Sequence, residues 1–162
     1  MLFRSDQYLR GKLSTGNDSL RLDLNLTSDD GYKADSGFDQ QKGTLQLKHS
    51  LAGANAITRL SFSNLDQETA GFIQGFEAYK DDTLRATNPN PEAFRDARSV
   101  RLHSEISYVL TSSRLILKPY FRYTDMTFIQ HFLPGQPLEE NGHRSPGLQS
   151  AWYLNAGDWV IG

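Results

Sequence analysis

Apolar and polar residues alternate with a period of two through most of this chain. The longest example runs from Arg98 to Met126. Within Arg98–Leu110, Val100, Leu102, Ser104, Ile106, Tyr108 and Leu110 share one side, while Arg101, His103, Glu105, Ser107 and Val109 share the other. Past Thr111-Ser112-Ser113, the residues Leu115, Leu117, Pro119, Phe121 and Tyr123 repeat the apolar side, opposed by Arg114, Lys118, Tyr120, Arg122 and Thr124. A period of two is the signature of a β-strand, whose successive side chains point to opposite faces. Ser19–Leu26 is the cleanest case, with Leu20, Leu22, Leu24 and Leu26 against Arg21, Asp23 and Asn25. Tyr8–Ser14, Gln40–Leu51, Ala56–Asn64, Gly147–Leu154 and Asp158–Gly162 complete about eight predicted strands, with His49 out of place on an apolar side. The expected fold is all-β: an antiparallel up-and-down meander of hairpins. Several runs reach the roughly 9–11 residues with which a tilted strand crosses a bilayer, so a transmembrane β-barrel segment is the expected architecture.

Connections alternate between short and long. Thr15-Gly16-Asn17-Asp18, Ala52-Gly53-Ala54-Asn55, Thr111-Ser112-Ser113 and Asn155-Ala156-Gly157 are tight turns, whereas Thr27–Asp39, Leu65–Ala97 and Thr127–Pro146 are predicted as loops. Outer-membrane barrels carry short turns at one end and longer loops at the other. Tyr108, Trp152 and Trp159 sit near short turns; Phe62, Phe121 and Tyr123 sit toward long loops. All six lie on the apolar side, as aromatic girdles at two membrane interfaces would. Pro119 falls mid-strand and cannot donate a ladder hydrogen bond, so a bulge or an unpaired position is expected there.

Composition narrows this picture without redirecting it. The 162 residues are 38% hydrophobic and 22% charged, with a mean hydropathy of −0.54. No run is apolar enough for a membrane helix, but barrel strands place only alternate residues in lipid and read as hydrophilic on average. The opening Met1-Leu2-Phe3-Arg4-Ser5-Asp6 has no apolar signal segment, so an outer-membrane assignment expects that the true start lies elsewhere. A net charge of −2 with scattered basic residues gives no stripe suited to nucleic acid. The chain has no cysteine, which removes disulfides and thiolate metal sites. Charged residues on the non-apolar side, among them Arg59, Arg101, His103, Glu105, Lys118 and Arg122, require water or counter-charges, and a wide wet lumen supplies both.

Catalytic patterns are absent. His103-Ser104-Glu105 lacks the cysteines of a zinc deaminase, the four histidines have no paired helical spacing, and no nucleophile elbow, P-loop or dinucleotide fingerprint occurs. Asp29-Asp30-Gly31 with Asp35 lacks the ligand spacing of a calcium loop. The expectation is therefore a protein that is not an enzyme and holds no cofactor or resident metal. The loops are richer. Phe72, Phe76, Tyr79, Phe128, His131, Phe132 and Leu133 form aromatic segments of the kind that mark binding surfaces.

Four stretches resemble TonB-dependent outer-membrane receptors: Asp35–Lys42, Asn64–Ile73, Tyr79–Ala97 and His131–Gly142. The resemblance spans nearly the whole chain and is to the barrel part of a ferric-siderophore type receptor. It implies that residues 1–162 are a partial barrel domain, without the plug domain, from a 22-stranded wall in the outer membrane of a Gram-negative bacterium. It also implies active import of ferric siderophores or similar chelates, energised by TonB through the missing plug, with outer-membrane lipid as a further partner and no nucleic acid. Tyr79, Phe128, His131 and Phe132 are then the expected loop contacts to substrate, and Arg101 and Arg122 the lumen residues that attract an anionic chelate. A small passive barrel or porin-like channel with adhesive loops is the alternative.

Overall fold

The computed structural model describes residues 2–4, 8–156 and 159–161. Nine strands follow one another: β1 (Leu2–Arg4), β2 (Tyr8–Gly16), β3 (Leu20–Asp29), β4 (Phe38–Leu51), β5 (Ala54–Glu68), β6 (Phe94–Val109), β7 (Ser113–Ile129), β8 (Leu138–Ala156) and β9 (Trp159–Ile161). Each pairs antiparallel with the next in a single sheet whose spatial order is the sequence order. The protein is an all-β antiparallel meander. β1 and β9 do not pair with each other, so the sheet is open among the described residues. Among the described residues the only helical pieces are two 3₁₀ turns, Ala78–Lys80 and Leu84–Ala86, between β5 and β6.

Ladder register places the leucines together. Thr15, Leu22, Leu45, Leu60, Leu102, Phe121 and Pro146 are successive cross-strand neighbours in one row. Adjacent rows on this face hold Phe62, Val100 and Tyr123 toward the long loops, and Tyr108, Leu115 and Trp152 toward the short turns. The aromatic pattern read from the sequence is thus realised as rows; the side chain of Trp159 lies outside the described residues.

Nothing among the described residues covers this apolar face. Leu13 is 54% exposed, Leu148 64% and Trp152 60%. Among the described residues the buried apolar ones are only Ala54, Ala56, Ala78 and Ala93, and no large side chain is fully buried. The accessible surface is 11613 Å², against about 8,100 Å² for a globular protein of this mass. The excess is the second face of a sheet one layer thick.

Two irregularities have local causes. His49, on the apolar face, is tied by Nε2 to Thr58 Oγ1 at 3.0 Å, and the Thr58 hydroxyl bonds Ser104 Oγ at 2.7 Å. These three polar groups satisfy one another within the leucine rows, as buried or lipid-facing polar groups must. The β6–β7 ladder skips Ser104 and Glu105 opposite Lys118 and Pro119, with the same register on both sides. The missing amide hydrogen of Pro119 therefore leaves unpaired positions, and no bulge residue is inserted.

The strands outrun the predicted ones at the long-loop end. β5 extends to Glu68, β6 starts at Phe94, β7 ends at Ile129 and β8 starts at Leu138. The loops shrink to residues 30–37, 69–93 and 130–137, and Phe128 belongs to a strand, not a loop. The reason is visible in one row of the leucine face: Ser28, Asp39, Asp66, Asp96, Thr127 and Glu140. The leucine face is polar there, so alternation ceases while backbone hydrogen bonds continue.

The short turns are staggered in one direction. Arg21, beside the first turn, is level with Gln46, Arg59, His103, Tyr120 and Gly147 across the sheet. The next turns lie past that level, where β4 runs on to Leu51, β6 to Val109 and β8 to Ala156. These extensions grow to nine residues, Gly147 to Ala156, over six strand-to-strand steps. With about 3.3 Å per residue and about 4.8 Å per step, the turns fall on a line slanted by roughly 40–45°.

Candidate functional site: a guanidinium pair and a loop cavity

Level with the leucine rows, the opposite face carries Asp23, Arg59, Arg101, Glu105, Lys118 and Arg122. Arg101 on β6 and Arg122 on β7 are direct cross-strand partners, with Ser61 and Ser145 on either side of them and Thr44 and Asp23 further along the same row. Like charges placed opposite one another disfavour the sheet, and both side chains are exposed to water, which screens the repulsion. The nearby carboxylates are engaged elsewhere. Asp23 takes the Arg21 guanidinium at 2.7 Å and the Ser14 hydroxyl, and Glu105 takes Lys118 at 2.9 Å. Among the described residues neither Arg101 nor Arg122 has a carboxylate partner.

Arg122 is positioned by an aromatic ring. Its guanidinium carbon lies 4.8 Å from the centroid of Tyr120, a cation–π contact. The Tyr120 ring lies over Gly147, where an added Cβ would come within 2.3 Å of it. Arg59, one row along, donates through Nε to Gln46 Oε1 at 2.8 Å. Two guanidinium forks without counter-ions, on a wall of serines and an amide, can accept a carboxylate, phosphate or phenolate in bidentate fashion.

The other expected contacts divide. His131 and Phe132 line one cavity with Phe72, Leu84, Pro89 and Asn90, between the loops 69–93 and 130–137. Tyr79 stands outside it on the first 3₁₀ turn, 67% exposed, with the Lys80 ammonium 5.8 Å from its ring. Phe128 is on β7 on the charged face, opposite Arg95, whose guanidinium carbon lies 5.8 Å from the ring. Residue order hid Asn88, which fastens the loops. Its Oδ1 accepts from the amides of Gly71 at 3.2 Å and Asn90 at 2.9 Å, and its Nδ2 donates to the Asp35 carbonyl at 2.7 Å. The run Asn88-Pro89-Asn90-Pro91 was the available signal, since asparagine side chains before prolines stabilise turns. Asp29 serves the third loop similarly, accepting from the Gly31 amide at 2.9 Å.

Glu92 joins the two loops electrostatically. Its own backbone amide, then the Asn90 and Gln136 side chains and the charge of His131 hold its carboxyl below the ordinary value of 4.5. A depressed folded-state pKa stabilises above the ordinary value and is lost as pH falls through the lowered one. Acidification below the normal carboxylate range should therefore loosen loop 130–137, and Glu92→Gln should abolish that dependence. Amide hydrogen exchange of Leu133 and Gln136 across an acid titration checks this; identical profiles in both proteins would remove the role.

Comparison with protein-family models, with curated proteins and with solved structures yields no match. Fold and site define the class on their own: a single-layered antiparallel meander with one uncovered apolar face and one cationic, hydrated face.

Proposed function

We propose that the chain forms part of the wall of an outer-membrane β-barrel that imports anionic metal chelates of the ferric-siderophore kind. The observation that carries this reading is the uncovered leucine face. A one-layer sheet with rows of exposed leucine, phenylalanine and tryptophan is unstable in water, and lipid is the solvent that removes the cost. The slant of the turns supports it, because strands closing a barrel tilt by about 35–45°. So does the extent of the apolar rows. Val100 to Tyr108 covers about 26 Å along the strand at about 3.3 Å per residue, or about 20 Å of height at that tilt, near the roughly 25 Å band of such barrels. The open edges require further strands, since unpaired ladders do not persist in hydrocarbon.

In this reading the charged face lines the lumen and the guanidinium pair attracts the chelate. TonB energises a plug domain and not these strands, as in the receptors that the sequence resembles. In cells importing a ferric chelate through the intact barrel, Arg101→Ala with Arg122→Ala should lower uptake by roughly tenfold or more, given about 1.5–3 kcal/mol per charge-assisted hydrogen bond. Unchanged uptake would end the role of the pair. Uptake that persists after the proton-motive force is collapsed would favour a passive channel.

A further inference from the structure

The cavity between the two long loops differs in kind from the guanidinium pair. It measures about 470 Å³, and no lysine, arginine, aspartate or glutamate lines it. Phe72 and Phe132, one from each loop, present rings that are 71% and 65% exposed. His131 meets Phe132 edge-on, with centroids 5.7 Å apart and planes at 81°. Its Nδ1 is closed off from solvent and has no hydrogen-bond partner among the described residues. The side-chain amides of Gln74 and Asn90 add uncharged donors and acceptors to the lining; Ile73 and Thr87, whose hydroxyl donates to the Leu84 carbonyl, complete it.

The wall is also built in advance. Lys33 Nζ donates to the Gly71 carbonyl at 2.8 Å, and the Ala34 amide to the Ala86 carbonyl at 3.0 Å. With the Asn88 contacts, these bonds lock the loop from residues distant in sequence. Gly71 sits so close that a Cβ would approach Asn90 Oδ1 to 2.2 Å. A preformed apolar recess loses little entropy on binding and favours ring-bearing ligands. A charged ligand would be desolvated there with no lysine, arginine or carboxylate in the lining to compensate.

We propose that this cavity is a binding site for an uncharged small molecule carrying a planar aromatic ring, held against Phe72 and Phe132 with its polar edge toward Gln74 and Asn90. The inference stands on loop geometry and does not require the sheet to close into a barrel. It is tested by equilibrium dialysis of the folded protein that contains this chain, in detergent micelles, corrected with protein-free micelles. The probes are 2-naphthol and its anionic analogue 2-naphthalenesulfonate. The expected result is one saturable equivalent of naphthol, bound about tenfold or more tightly than the sulfonate, a difference of about 1.4 kcal/mol. Phe72→Ala with Phe132→Ala should weaken naphthol binding by at least about tenfold. Because that pair could disturb the loops, Gln74→Lys provides a second arm: it should shift preference toward the sulfonate with unchanged strand content. Arg101→Ala with Arg122→Ala should leave naphthol binding intact. No saturable site, equal binding of the two probes, binding indifferent to the phenylalanines, no shift in Gln74→Lys, or dependence on the arginines would each overturn the proposal.

Discussion

Leu45→Arg is expected to destabilise the protein in lipid vesicles by about 2–4 kcal/mol, the cost of a cation near the middle of a lipid-facing band. Thr44→Arg, one residue earlier, is expected to stay within about 0.5 kcal/mol, as substitutions on hydrated surfaces do. The two positions differ only in face. Leu45 lies between Leu22 and Leu60 among the leucine rows, and Thr44 lies between Asp23 and Ser61 on the charged side. Urea titration of the vesicle-reconstituted protein that contains this chain, followed by tryptophan fluorescence, measures both. Two small and equal effects would mean that no hydrocarbon meets the leucine face. That result would remove the membrane reading altogether, including the lumen assigned to Arg101 and Arg122.

Gly43→Val should be the second large loss, about 1–3 kcal/mol, the usual range for overpacking. Gly43 interrupts the apolar face of β4, and the ring of its cross-strand partner Phe62 fills the gap. An added Cβ would lie 2.2 Å from Phe62 Cε1, well inside contact distance. The ring must therefore swing away and leave both its partner and its row. Phe62→Ala removes the clash, so the double variant should be less destabilised than the sum of the two single ones, with a coupling of about 0.5–3 kcal/mol. A strictly additive cycle would show that the ring does not rest on the glycine in solution.

The same pair shows what a one-dimensional reading misses. Gly43 breaks an otherwise regular alternation and carries no signal of its partner, because Phe62 is a neighbour only through the β4–β5 register. Tyr120 over Gly147 repeats the arrangement on the charged face. His49 looked like a fault in the pattern until Thr58 and Ser104 were placed beside it by two successive ladders. Phe128 reads as a loop residue because the alternation fades near it, although the backbone ladder runs on to Ile129.

The loops follow the same rule at longer range. Aromatic enrichment marked Tyr79, Phe128, His131 and Phe132 together. Only His131 and Phe132 share a cavity, since a ring's position there depends on hydrogen bonds between segments dozens of residues apart, such as Asn88 to Asp35.

Sequence alone determined strands β2 to β9 apart from their ends, their antiparallel succession and which residues share a face, because a period of two is a local property of the extended backbone; the three residues of β1 are too few to show it. It also placed the arginines on the face away from the leucines. Tertiary structure decided which residues meet across the sheet: that Arg101 stands opposite Arg122, that the turns climb along one slant, and that the leucine rows stay uncovered. Each of these depends on register. Register is set by hydrogen bonds between strands and by the lengths of the turns that join them, and no single strand carries that information.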